Sequence, residues 1–240
     1  MSTIHPNTEQ DRRSLRPLAA AALELIEEGF VVGLGSGHAA TAFVRALGQR
    51  VQAGLRIRGV PTSEATASLA RQLGIPLPAL DEVGAIDVTV DGADEVDPDL
   101  NLIKGLGGAL VREKIIAAAS RRLVILVGAE KLVSGLGQHG VLPVEVVPFG
   151  LAFCRRRLAE LGYPPTLRMA GGKLVVSDNG NYILDCKVPI LPNAAAVDAA
   201  LRAIPGIVGT GLFLGMADTV LIERADTVEV RRGARVAGDA

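Results

Sequence analysis

Phe30-Val-Val-Gly-Leu-Gly-Ser-Gly-His-Ala-Ala, residues 30–40, decides how the chain folds. Its first five residues read as a short buried strand. A glycine-rich turn follows, and a helix runs on from about Ala39 to Arg50. Upstream, residues 17–28 read as a helix with Pro17 in its first turn and Gly29 just past its end. Downstream, apolar strands at 55–60, 86–91 and 123–127 alternate with helical stretches at 63–73 and 109–120. Strands and helices alternating at this spacing imply βαβ units on a parallel sheet.

Past residue 136 the texture changes. A strand at 143–147 and a helix at 150–161 precede two strands, 173–177 and 182–186, which flank Asp178-Asn-Gly-Asn, a hairpin signal. A helix at 193–204 follows. The order β-α-β-β-α-β is that of a ferredoxin-like unit. Two further strands, 219–223 and 227–231, are expected to return to the first sheet. The expected fold is α/β, a Rossmann-like parallel-sheet domain (1–136 and 211–240) with an inserted small α+β, ferredoxin-like domain (137–210). The last few residues are expected to fray.

Composition narrows the function classes. Among 240 residues, 25 basic side chains against 26 acidic ones give a net charge of -1, which argues against a nucleic-acid partner. Aromatics are 3% and tryptophan is absent, so a base-stacking surface is not expected. Residues 1–17 are polar and lack the apolar core of a signal peptide, and no apolar run reaches membrane-spanning length. Cys154 and Cys186 form no CxxC, and His5, His38 and His139 make no zinc pattern. Two free thiols suit the cytoplasm.

Three stretches carry chemistry. In Gly33-Leu-Gly-Ser-Gly-His-Ala-Ala, backbone N–H groups at a helix start favour an anion. A dinucleotide fingerprint fails, because His38 takes the place of its third glycine and Arg56-Ile-Arg stands where the ribose-binding acid belongs. Phosphate binding survives, beside the alternative of a tight turn without a ligand. In Asp91-Gly-Ala-Asp-Glu-Val-Asp-Pro-Asp, five acids follow a strand end, where α/β proteins place their ligands. Asp91 and Asp94 read either as contacts to sugar hydroxyls or as a pair that shifts one another's proton affinity through like-charge repulsion, whereas Glu95, Asp97 and Asp99 read as a solvated loop. Ala93 breaks an EF-hand pattern, and no second cluster completes a magnesium site. In Leu102-Ile-Lys-Gly-Leu-Gly-Gly-Ala-Leu-Val-Arg-Glu-Lys, a glycine loop bears Lys104 and the helix after it bears Glu113. That pair suits enolisation, with Lys104 offsetting charge on oxygen and Glu113 moving a proton between carbons. Taken alone, Glu113 in Arg-Glu-Lys on a helix is more often a surface salt-bridge partner, and spacing by itself does not overturn that.

Together these stretches resemble the core signature of the A-type ribose-5-phosphate isomerases. Pro61-Thr-Ser-Glu-Ala-Thr, Lys131 in Ala-Glu-Lys, Pro143-Val-Glu-Val-Val-Pro and Gly211-Leu-Phe-Leu-Gly-Met-Ala-Asp match in order, over roughly residues 15 to 225. The resemblance implies interconversion of D-ribose 5-phosphate and D-ribulose 5-phosphate through an enediolate, in the non-oxidative pentose phosphate pathway. It implies no metal and no organic cofactor, and a homodimer or homotetramer. Glu113 then matches the general base, Asp91 and Asp94 the carboxylates of ring opening and hydroxyl contact, and Lys104 the loop lysine. Ser36, Gly37, His38 and Ala39 fall in the phosphate loop. Gly92, Ala93, Gly105, Leu106, Gly107 and Lys131 complete the substrate contacts. Two positions depart from the family pattern. His38 and Ala39 stand where Ser-Thr is usual, removing two hydroxyls, and Leu106 interrupts a run of glycines. His38 reads either as a replacement donor to phosphate or as a side chain that packs or faces solvent.

Overall fold

The computed structural model describes residues 16–225 and 227–233. Most of the polar N-terminal stretch read as no signal peptide, and the C-terminal residues expected to fray, lie outside them. The helix expected over 17–28 is shorter, α1 at Arg16–Leu23. From Leu25 the backbone bonds tighten to i−3, and the chain turns so that Ile26 is buried and Gly29, at φ +84°, donates to Arg56 O at 2.7 Å.

The βαβ expectation holds. Strands β1 (Val31–Leu34), β2 (Arg58–Pro61) and β3 (Val88–Gly92) alternate with α2 (Gly37–Gln52) and α3 (Glu64–Gln72). After β4 (Glu95–Val96) and β5 (Leu102–Ile103) come α4 (Leu110–Ala118) and β6 (Leu123–Gly128). Strands β2, β1, β3 and β6 pair in parallel in that order. The sheet continues through β14 (Thr219–Arg224), parallel to β6, and ends on β15 (Thr227–Arg232), antiparallel to β14. The return of the C-terminal strands to this sheet is therefore as expected. Successive residues point to opposite faces. Val32, Leu34, Val124 and Leu126 meet α1 and α2 in one core. Leu123, Ile125 and Val127 meet Ala117 of α4 in another. Burial on both faces explains why these strands read as unbroken apolar runs.

The smaller sheet is antiparallel, in the order β12 (Ile207–Thr210), β7 (Val141–Val146), β11 (Tyr182–Lys187), β8 (Pro165–Leu167). With α5 (Leu151–Glu160) and α6 (Ala194–Arg202) its connectivity is β-α-β-β-α-β. The second strand is not the expected one. Residues 165–167 pair with β11, while β10 (Lys173–Leu174) folds back on β9 (Met169–Ala170). Of the expected 173–177/182–186 hairpin only the Val176–Tyr182 bridge remains. The turn itself is real, with Gly180 at φ +78°. However, Ser177, Asn179 and Asn181 each donate a side-chain bond to Glu145 Oε1, at 2.8, 3.1 and 2.9 Å, drawing the segment off the ladder.

A three-stranded ribbon, β4–β5–β13 (Leu212–Phe213), joins the two sheets. Its alternation serves both sides: Leu102 and Phe213 enter the core beneath the large sheet, Ile103 and Leu212 the core of the small one. The acidic stretch is thus only partly solvated. Glu95, read as a loop residue, is 1% exposed. Its carboxylate accepts from the N–H groups of Gly137 and His139, both at 2.6 Å, satisfying buried donors where the chain crosses into the small sheet. Asp97 closes a turn by accepting from Asp99 N and Asn101 N, and Asp99 is exposed.

Candidate active site

The C-terminal ends of β1, β2 and β3 feed the turns that start α2 and α3 and the acidic stretch. This is the edge where open parallel sheets bind ligands. Close approach of β1 to β3 there depends on glycine. A Cβ on Gly33 would lie 1.7 Å from Thr89 Oγ1, and one on Gly35 would lie 2.3 Å from Asp91 Oδ1 and 2.6 Å from Asp91 Cα. These two glycines make room for a neighbouring strand, not for a ligand. Gly35→Ala should cost roughly 1–3 kcal/mol by overpacking and push Asp91 out of place. A urea midpoint and an activity assay on the same variant check this, and an unchanged pair of values would refute it.

Asp91, 1% exposed, accepts at Oδ1 from Ser36 N at 3.0 Å and from its neighbour Gly92 N at 2.8 Å. Its Oδ2 lies 3.0 Å from Lys104 Nζ. Lys104 is 3% exposed and donates to Gly92 O at 2.6 Å. The same ammonium stands 3.3 Å from Glu113 Oε2, close enough for ion pairing, yet that oxygen has no hydrogen-bond partner among the described residues. Phe213 closes the far side, its ring centre 5.5 Å from Nζ. Burial opposes the Lys104 charge, but Asp91 and then Glu113 outweigh it, so its pKa lies above the usual lysine value. Burial pushes the Glu113 carboxyl up to about 8, against the pull of Lys104 and with a further push from Asp91. Glu113 is thus a buried group in the first turn of α4, and the surface salt-bridge reading fails.

The glycine loop is clamped from both sides. Asp94, half-buried, accepts from Leu106 N at 2.9 Å. Arg168 donates to Gly105 O at 2.8 Å and Leu106 O at 2.9 Å, and is itself paired with Asp185. Gly105 and Gly108 have φ of +104° and +87°, which glycine supplies without strain, whereas Leu106 does not lie in that region. Half-exposed Leu106 is therefore tolerated in the loop.

Beside this cluster lies a cleft of about 550 Å³. Ser36 and Gly37 at the start of α2, Ser63 and Ala65 at the start of α3, and Gly107 to Ala109 before α4 line it. Three helix N-termini thus converge on one space, each presenting the positive end of its dipole, although at α3 the N–H groups of Glu64 and Thr66 are already taken by Asp178 Oδ2 and Ser63 Oγ. Ser36 Oγ adds a hydroxyl cluster, 2.8 Å from Thr62 Oγ1, 2.9 Å from Ser63 Oγ and 3.4 Å from Thr66 Oγ1. The arrangement suits an anion at one end and proton transfer at the other.

Of the residues singled out from sequence, the structure brings together Ser36, Gly37, Asp91, Gly92, Asp94, Lys104, Glu113 and the 105–107 loop. His38 is exposed and outside the cleft lining, and Ala39 and Ala93 pack against the cores. Lys131, half-buried, follows β6 in a 3-10 turn on the same sheet edge. Sequence reading passed over Thr41, Thr62, Ser63, Thr66 and Arg168. The first four lie on or beside βα turns, and Thr62, Ser63 and Thr66 also fall in the Pro61-Thr-Ser-Glu-Ala-Thr stretch of the family resemblance. Among the described residues no group of three or more His, Cys, Asp or Glu side chains is placed to hold a metal ion.

The sequence profile of the family described as ribose 5-phosphate isomerase A (phosphoriboisomerase A) matches residues 58–227. A ribose-5-phosphate isomerase A of Gloeobacter violaceus is 51% identical over 213 residues, covering 88% of this chain and 93% of that protein. The structure of ribose 5-phosphate isomerase A from Methanocaldococcus jannaschii superposes with a TM-score of 0.87 at 37% identity, over 94% of this chain and all of that one. A D-ribose-5-phosphate isomerase solved in complex with phospho-erythronic acid gives 0.88 at 39% identity, over 94% and 99% of the two chains. With a profile match over most of its length and relatives at half identity, the chain belongs to the ribose 5-phosphate isomerase A family.

Proposed function

We propose that the chain interconverts D-ribose 5-phosphate and D-ribulose 5-phosphate, with the phosphate in the cleft where the helix N-termini meet. The observation that carries this reading is Glu113 Oε2, buried and, among the described residues, without a hydrogen bond, beside the Lys104 ammonium. A carboxylate whose pKa is raised toward neutrality is an effective base. Glu113 takes the C2 proton of the open-chain aldose, which forms a C1–C2 double bond and leaves the electron pair on O1. Returning the proton to C1, while the O2 proton passes to O1, gives the ketose. Lys104 and loop N–H groups stabilise the oxygen charge in between. Asp91 has Ser36, Gly92 and Lys104 as partners and sets the direction of the ammonium. Asp94 has one oxygen on Leu106 N–H and offers the other to a sugar hydroxyl.

Purified protein should turn over ribose 5-phosphate and keep its rate in EDTA, because Lys104 already supplies positive charge among the carboxylates. Absence of turnover would overturn the function. Activity lost in EDTA and restored by Mn²⁺ would make Asp91 and Asp94 metal ligands.

Residues 137–210 form a small domain inserted between 1–136 and 211–240, its core capped by Ile103 and Leu212 of the ribbon. The enzyme acts in the cytoplasm, a setting that suits buried free Cys154 and Cys186. Among the described residues no helix is long and apolar enough to cross a membrane. The assembly is a homodimer or homotetramer: Phe149 is fully exposed in the turn between β7 and α5, and Val147 before it, Phe153 on α5 and Val208 in β12 are exposed as well. Light scattering should give a multiple of the 24.9 kDa chain mass. A monomer at micromolar concentration would refute the assembly.

A further inference from the structure

Residues 177–181 bridge Glu145 of the small sheet and the start of α3, and Ser177 and Asp178 line the cleft together with Ser36 and Ser63. Arg112, the neighbour of Glu113 on α4, holds this strap. Its Nε donates to Asn179 Oδ1 at 3.0 Å and its Nη2 to Asp178 O at 2.9 Å. Its Nη1 donates to Glu64 Oε1 at 2.9 Å and lies 3.9 Å from Asp178 Oδ2. Asp178 Oδ2 in turn accepts from Glu64 N at 2.8 Å, at the start of α3. One guanidinium therefore serves three residues on two segments, as its planar fork of donors allows.

The charges explain why a cation is needed there. Glu64 and Asp178 put two carboxylates at the rim of a cleft that is otherwise built for an anion. Uncompensated, they would repel a phosphate dianion and offset what the helix N-termini contribute. We propose that Arg112 is a positioning residue for the phosphate end of the cleft. It fixes the 177–181 strap as the cleft wall and cancels Glu64 and Asp178. This inference rests on the proposed function, in which a sugar phosphate occupies the cleft.

The test is steady-state kinetics on ribose 5-phosphate at low and high salt, for the wild type, Arg112→Ala, Arg112→Lys and the double variant Arg112→Ala/Glu64→Gln. Arg112→Ala should raise KM by about 10-fold or more at low salt with kcat within about threefold, since Asp91, Lys104 and Glu113 are untouched. The ratio of its KM to the wild-type value should shrink at high salt, where exposed charges are screened. Arg112→Lys should restore part of the loss by returning the charge, and Glu64→Gln part of it by removing the repulsion. An unchanged KM overturns the proposal. So does a raised KM that neither salt nor Glu64→Gln relieves, which would mark Arg112 as a structural tie alone. Should Arg112→Ala not fold, Arg112→Gln removes the charge while keeping two hydrogen-bonding positions and gives the same readout. Wild-type protein without turnover would sink the proposed function itself. Wild-type turnover with an unmoved variant KM would sink only the role of Arg112.

Discussion

Glu113→Gln should lower kcat by about 10²–10⁴-fold while leaving KM for ribose 5-phosphate close to the wild-type value. The amide has the shape of the carboxyl and leaves Lys104 paired with Asp91, so binding persists while the base is gone. The pH profile separates this from a loss of fold. Burial raises the Glu113 pKa to about 8, so wild-type kcat/KM should climb with pH until the carboxyl is ionised. That limb should be absent from the variant. Stability carries the same signature. A carboxyl whose folded pKa lies above its ordinary 4.5 contributes stability that is full below pH 4.5 and is lost as pH rises through about 8. In that window the folded chain holds a proton that the unfolded chain has released. Urea midpoints measured across it should therefore fall with pH less steeply for Glu113→Gln than for the wild type. A variant with near-normal kcat would remove Glu113 from the chemistry.

The parallel sheet was legible because its strands are buried on both faces and so appear as apolar runs between helices of ordinary length. Elements of two or three residues left no such trace. Strands β4, β5 and β13 have no period to detect, and β8 begins at Pro165, directly after another proline. That proline is admissible because β8 is an edge strand. The hairpin expected at 178–181 failed for a related reason. Local turn chemistry was read correctly, but the partner of the turn's polar side chains is Glu145, more than thirty residues upstream. The residue types of the candidate site were legible in the motif, yet not their meeting. Lys104 reaches Asp91 because β5 pairs with β4, and Glu113 faces both because α4 starts directly after the clamped glycine loop. The hydroxyl cluster draws on two βα turns 26 to 30 residues apart. The rule that ligands gather at strand ends, and the shared membership of Ser36 and Pro61-Thr-Ser-Glu-Ala-Thr in the family resemblance, hint that Ser36, Thr62, Ser63 and Thr66 belong together.

Lys104→Met removes the one ammonium that touches Asp91, Glu113 and Gly92 at once, and should affect stability and rate together. Two carboxylates that are 1% and 5% exposed would share their site without a cation. Breaking a buried pair in this way costs roughly 3–5 kcal/mol. The deficit in melting temperature should shrink as pH falls, because protonation removes the unpaired charge. Two effects on rate are superposed. Without the lysine the Glu113 pKa rises further, so less of the base is ionised at neutral pH. The enediolate oxygen also loses a preorganised cation, worth about 10²–10³-fold in kcat by analogy with a lost oxyanion donor. Raising the pH reverses the first effect and not the second. The kcat of Lys104→Met should therefore increase towards a plateau at high pH that stays at least about 100-fold below that of the wild type. A plateau equal to the wild-type rate would mean that Lys104 acts only by keeping Glu113 ionised. The stabilisation of the enediolate would then fall to loop N–H groups such as that of Gly107, since those of Leu106 and Gly108 are already bonded to Asp94 and Gly105 O.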